Sequence, residues 1–180
     1  MTGFPDRENP QTQRLKRERK RWFEKRSYEI CGERLSSIHG GGYETPNLFT
    51  ELRACYIDGH FIATVVIGAS IAEQCLVTWL DDADPTGDTL GAVIDKVEEH
   101  ELADEELIES LETLNETRNG YVHYRGKETK PSPNQKRSEN GERPHPKWVG
   151  EEDAKDALVA VFEIARFEDK IVGDLFDDLE

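Results

Sequence analysis

The sequence predicts an all-α protein, an antiparallel bundle of about six helices. Apolar residues recur at helical spacing through most of the chain. No stretch alternates apolar and polar residues as a half-buried strand would, and no internal repeat is present. The connections between periodic stretches are short, which favours antiparallel neighbours. A length of 180 residues supplies one domain with a sizeable core and is too short for two full-sized ones.

Residues 1–10 read as a loose tail with two prolines. Residues 11–37 read as a helix loaded with base: Arg14, Lys16, Arg17, Arg19, Lys20, Arg21, Lys25 and Arg26, with Trp22, Phe23 and Tyr28 among them. Two readings stand side by side. In one, the aromatics dock on the body and the charges meet an acidic domain. In the other, the helix is an arm whose Lys20 and Arg21 grip phosphates while an aromatic stacks on a base. The apolar stripe is thin for a membrane-surface helix.

Gly40-Gly41-Gly42 reads as a flexible hinge, and no Gly-Lys-Ser/Thr follows it as in a phosphate-binding loop. Thr45-Pro46 reads as N-cap and first helical residue of a helix running to about Ile57, broken at Asp58-Gly59. Residues 60–81 form the central helix. Phe61, Val65, Ala69, Ala72, Leu76 and Trp79 make one stripe, and Ile62, Val66, Ile67, Ile71 and Cys75 much of another, so this helix is expected to be buried by several partners. Gly68, Ala69 and Ala72 admit a close neighbour. Glu73 is the one acid inside it, either orienting a cation or facing water.

Asp81 to Gly87 reads as an acidic turn, without the glycine and distant glutamate of a helix–loop–helix calcium site. A short helix over 89–99 turns Leu90, Val93, Ile94 and Val97 inward. Asp104 caps the next helix, with Glu105 and Glu106 at its positive end, and Gly126 ends it after Arg125. Residues 127–150 read as a polar linker with four prolines, and His145 as part of that loop. The last helix, 151–178, carries Ala154, Leu158, Val161, Phe162, Ala165, Val172, Leu175, Phe176 and Leu179 on its apolar face. The chain thus divides into residues 1–44, the basic helix with its glycine hinge, and residues 45–180, the bundle.

Net charge is −15, unevenly spread. Residues 1–40 hold 10 Lys and Arg against 6 Asp and Glu, and residues 41–180 hold 13 against 32. An acidic surface is a poor general binder of nucleic acid. It stays soluble in a salt-rich cytosol, where repulsion is screened, so the composition fits a halophile. Cys31, Cys55 and Cys75 form no CxxC pair; an odd number without a signal peptide points to a reducing cytoplasm. The longest uncharged apolar stretch, Phe61 to Ala72, is too short to span a bilayer, and no membrane partner is expected.

One stretch breaks the pattern. Leu107, Leu111 and Leu114 step along one face of the helix that opens at Asp104, and the next residue on that face is Arg118. A guanidinium on a leucine stripe needs a partner or a task. Asn119 follows, and His123, the side chain suited to proton transfer near neutral pH, stands five residues on. Arg-x4-His alone is a weak pattern: the product of 13 arginines and 5 histidines over 180 residues gives about 0.4 chance matches. A second match, Arg34 to His39, lacks the asparagine and runs into the glycines. The bland alternative is a buried salt bridge from Arg118 and an ordinary surface histidine.

Arg118-Asn119-Gly120-Tyr121-Val122-His123, placed at the end of a helix, resembles the HEPN family (higher eukaryotes and prokaryotes nucleotide-binding domain) over roughly residues 45–178. The resemblance implies a metal-independent endoribonuclease of the kind found in toxin–antitoxin and phage-defence systems, with RNA as substrate, no cofactor, and a cognate antitoxin or regulatory protein as partner. Other members bind or scaffold without activity, so a non-catalytic dimeric module for nucleotide or a partner protein is the alternative. The implied roles are His123 as acid or base, Arg118 on the phosphate and Asn119 positioning either; Tyr124 and Arg125 add contacts to base or backbone. Some family toxins carry His-x-Tyr, whose tyrosine an antitoxin modifies; here Tyr124 directly follows His123, which puts that control in doubt. On an ideal helix Arg118 and His123 lie about 140° apart. A kink at Gly120 would bring them together; a two-fold homodimer, which the resemblance favours, would converge two copies across an interface.

Overall fold

The structure, a computed structural model, describes residues 9–32, 41–80, 89–123 and 146–177, the side chains of the last segment from 148 to 169. Among these residues the regular structure is all α-helix, with no strand: α1 Pro10–Cys31, α2 Thr45–Asp58, α3 Phe61–Trp79, α4 Leu90–Glu99, α5 Glu105–Val122 and α6 Pro146–Asp177. The Arg34–His39 match, the acidic turn from Asp81, Tyr124, Arg125, His145 and the side chains of Val172, Leu175, Phe176 and Leu179 lie outside the described residues.

The helix signals act where polar side chains meet unpaired N–H groups. Asn9 accepts from the N–H of Gln11 at 2.9 Å and opens α1, with Pro10 as first helical residue. Asp104 accepts from the N–H of Leu107 at 3.0 Å and opens α5. Thr45 behaves differently from the expectation. Glu44 holds the cap position of α2, and the buried Thr45 hydroxyl donates instead to Gln74 Oε1 on α3 at 2.9 Å. At the same corner Gly41, one of the three glycines of the expected hinge, is packed; Gly40 lies outside the described residues. Gly41 sits at φ 80°, and a Cβ there would strike Thr45 Oγ1 and lie 3.1 Å from Gln74 Cβ. Gly59, at φ 85°, ends α2 in the left-handed conformation beneath the Arg19 guanidinium.

α2 and α3 are antiparallel, as the Thr45–Gln74 bond at one end and the Gly59 turn at the other require. α1 is antiparallel to α2, with Lys16 on Asp58 at 2.9 Å and Trp22 against Tyr56 at 5.3 Å. α5 is antiparallel to α6 and α4 to α5. The central pair departs from the expected antiparallel bundle. α3 and α6 run parallel, since Gly68 faces Ala157 near one end and Trp79 Nε1 donates to Glu168 Oε1 at the other. Gly68 permits that approach; a Cβ there would already touch Ala157 and Val161 at 3.6 Å.

The core sits around α3 and α6. Val65, Ile71, Leu76, Leu158, Phe162 and Ile164 have no measurable exposure, and the inward face of α4 and the leucine stripe of α5 close over them. α3 is apolar and long enough, by length and composition alone, to cross a membrane; its burial against α2, α5 and α6 accounts for that apolarity. Ile62, counted on its second stripe, is 56% exposed. Cys75 is fully buried, and burial pushes the Cys31 thiol up to about 11, so both stay protonated at neutral pH.

One half-buried carboxyl gives a pH test of packing. Burial raises the pKa of Glu163 on α6, a hydrogen bond from Ser110 on α5 offsets part of this, and Oε2 has no partner among the described residues. With the folded pKa above the unfolded one, the folded state binds the proton more tightly. The cost of the charge is therefore present above the folded pKa and vanishes below the unfolded one. Glu163→Gln should melt above wild type at pH 7 and converge on it as pH falls toward 4, in paired thermal melts; a gap that widens on acidification refutes this account.

Candidate functional site

The leucine stripe of α5 places Leu107, Leu111 and Leu114 in the core at 2% exposure or less, and Arg118 continues it as a partly buried residue at the helix end. α5 stops at Val122, three residues before the expected end at Arg125. His123 is its C-cap, with φ −115° and ψ 92°, and its N–H still bonds to Asn119 carbonyl oxygen at 3.1 Å. That non-helical backbone removes the angular problem. The 140° separation holds only if residue 123 is helical; here the exposed imidazole swings back, and Arg118 Nη1 stands 3.3 Å from His123 Nε2. The helix needs no kink at Gly120, and a second chain is not required to bring the two side chains together.

Arg118 Nη1 also donates to Asn119 Oδ1 at 3.1 Å, and Asn119 Nδ2 donates to Asn115 Oδ1 at 3.2 Å, one turn back. These four residues form a chain of side chains along one edge of α5. A guanidinium has no acceptor atom, so the Nε2 it meets carries a lone pair, and the imidazole proton is assigned to Nδ1. The other N–H groups of Arg118 have no partner among the described residues. Glu73, weighed as an orienting acid, does not contact it. The arrangement offers a base with a lone pair beside a fixed cation, on a solvent-facing edge.

Tyr121, inside the same six residues, faces α6: its hydroxyl donates to Asp153 Oδ2 at 2.6 Å, and Asp153 is 1% exposed. Burial and then this bond raise the Tyr121 pKa, so the hydroxyl is a donor throughout the ordinary pH range. Asn115 also lines an acidic groove of about 360 Å³ between α4 and α5, together with Asp95, Glu112 and Glu116. Among the described residues, no three His, Cys, Asp or Glu side chains are gathered as a metal site.

Lys20 and Arg21 are exposed on α1, and no contact joins them to the pair. Lys20 pairs with Glu24 at 3.7 Å. Most of the other bases of α1 also meet carboxylates: Arg14 with Glu18, Lys16 with Asp58, Arg19 with Glu151, and Lys25 and Arg26 with Glu29. Of the two readings of this helix, the docked one describes its position. Phe23 is 3% exposed and packs on Phe49 and Phe162.

In comparisons with protein-family models, curated proteins and solved structures, the chain matches none. The case for the site therefore rests on its own geometry. Two of its members escaped the sequence reading. Asn115 was detectable, because it stands four residues before Asn119 on the same face. Asp153 carried no signal, since it lies 32 residues from Tyr121 among the acids that open the last helix.

Proposed function

We propose that the chain is a metal-independent endoribonuclease of HEPN type that cuts single-stranded RNA at the Arg118–His123 pair. The observation that carries this reading is the Arg118 Nη1 to His123 Nε2 contact of 3.3 Å, with further donors on the guanidinium. A phosphate arriving at Arg118 exchanges with the imidazole for the guanidinium and leaves Nε2 to accept the proton of the adjacent 2′-hydroxyl. The 2′-oxygen then attacks phosphorus, the P–O5′ bond breaks, and the 5′-oxygen takes a proton from water or from the protonated imidazole. Arg118 stabilises the charge gathered on the non-bridging oxygens, and Asn119 holds Arg118 in place. The products are a 2′,3′-cyclic phosphate and a 5′-hydroxyl.

A two-fold homodimer, implied by the resemblance, would supply a second histidine for the leaving oxygen. Tyr124, Arg125, Lys20 and Arg21 are the residues proposed to hold flanking nucleotides; the ion pairs of α1 are surface pairs worth little, so phosphate can displace their acids. In this role the chain is a cytoplasmic toxin or defence component with a cognate antitoxin. The rival reading, a non-catalytic module, is favoured by three exposed apolar side chains at the end of the bundle where α5 stops and α3 and α6 begin. These are Ile62, Val122 and Trp148 at 56, 41 and 69%.

Turnover separates the two. Purified protein incubated with single-stranded RNA in excess chelator should release fragments ending in 2′,3′-cyclic or 3′-phosphate, read by end-group analysis. Activity lost in chelator and restored by magnesium, or binding without cleavage, rejects the reading.

A further inference from the structure

The His123 side chain is exposed, and Arg118 is its hydrogen-bonding partner among the described residues. Its placement therefore depends on where the backbone leaves α5. That exit is held two residues earlier, by Tyr121 on Asp153. Asp153 in turn stands on a fixed part of α6. Two residues before it, Glu151 meets the buried Arg19 of α1 at 3.3 Å, and beside it Ala154 is fully buried. Gly150, one turn before Asp153, lies against both Phe61 and the Tyr121 hydroxyl, so α3, α5 and α6 meet at this point.

We propose that Tyr121 and Asp153 are positioning residues for the Arg118–His123 pair: their hydrogen bond clamps the last turn of α5 to α6 and so sets where the imidazole stands. The inference rests on reading that pair as the functional one, but its geometry is independent of RNA. A carboxylate accepting a phenolic proton gives a short, strong bond, and a buried one is little competed for by water. The raised Tyr121 pKa keeps the donor in place at any pH at which the nuclease would work. Without the clamp, the helix end frays as unpacked helix ends do, and His123 leaves Arg118.

The test reads His123 directly. With nitrogen-15 in the histidines, long-range nitrogen–proton spectra report which ring nitrogen carries the proton. Arg118→Ala supplies the reference for an imidazole without its cation. Tyr121→Phe keeps the ring and removes the donor. Should Tyr121→Phe prevent folding, Tyr121→Phe with Asp153→Asn removes the carboxylate charge together with the phenolic donor. Either variant, once circular dichroism shows native helix content, should move the His123 nitrogen shifts most of the way to those of Arg118→Ala. If the protein cleaves RNA, kcat should fall at least about tenfold with KM within about twofold, because misplacement by an ångström costs chemistry more than binding. A folded variant with wild-type His123 shifts overturns the proposal. Failure of the wild type to cleave RNA would reject the nuclease and leave the nitrogen shifts to decide the clamp by themselves.

Discussion

Alanine at His123 or at Arg118 should reduce RNA cleavage by at least about 100-fold, and mixing the two variants should restore nothing. A positioned acid–base group contributes about 10² to 10⁴ in rate, and a donor aimed at developing oxyanion charge about 10² to 10³. The two residues contribute through one contact, so their effects should not add; the double variant should be scarcely worse than either single one. The mixing result follows from where they meet. Arg118 Nη1 and His123 Nε2 are 3.3 Å apart in the same chain, so every protomer in the mixture has a broken pair. The variants are co-refolded, heterodimers are verified by tagging if the protein sizes as a dimer, and initial rates are compared with wild type. Recovery toward half the wild-type rate per dimer would mean that working pairs are assembled across subunits, and the single-chain site would be wrong. His123→Ala should keep its helical dichroism, because the residue is exposed and lies beyond the last helical turn.

The helices were legible in the sequence because their apolar periods coincide with what they bury. Leu90, Val93, Ile94 and Val97 on α4, and Leu107, Leu111 and Leu114 on α5, all lie inward at 2% exposure or less. Asp104 was legible as a cap because its carboxylate acts on the N–H three residues along. What periodicity does not carry is where a helix stops and which way its neighbours run. The sequence predicts α5 through His123 to Arg125, since nothing in Val122-His123-Tyr124 breaks a helix by composition. That one-residue difference in backbone state reversed the geometry of the site. A side chain 140° away on an ideal helix became a direct neighbour once residue 123 left the helical φ for −115°. Thr45 shows the same limit: its sequence context is that of a cap, but the packing of Gly41 on α3 draws its hydroxyl to Gln74. The Tyr121–Asp153 bond and the parallel α3–α6 pair are tertiary facts, set by contacts between distant residues, and no local pattern encodes them.

Deleting residues 1–31 should unfold or aggregate the protein instead of releasing an intact bundle. α1 carries the basic residues that suggest a detachable arm, but its inner face completes the core. Phe23 meets Phe162 edge-on at 5.2 Å, and Trp22 lies 5.3 Å from the ring of Tyr56; Phe162 and Tyr56 are both fully buried. Arg19, 6% exposed, stacks over Phe61 at 4.9 Å, binds Glu151 and reaches the carbonyl of Ile57. Truncating one buried Phe costs about 3–5 kcal/mol, and breaking a buried ion pair from one side costs a similar amount. Together these approach the whole stability of a domain, about 5–15 kcal/mol. Arg19→Ala alone should cost about 2–4 kcal/mol and lower Tm by roughly 4–16 °C in a chain of this size. Lys20→Ala and Arg21→Ala, on the exposed side of the same helix, should stay within about 0.5 kcal/mol of wild type. If those two bases hold RNA phosphates, each variant should also reduce the salt slope of RNA affinity by about one, a signature that Arg19→Ala would lack. Melts of the four proteins and a salt titration of RNA binding separate the inner face from the outer one. A truncated chain that melts cooperatively near the wild-type temperature would show that α1 is an appendage after all.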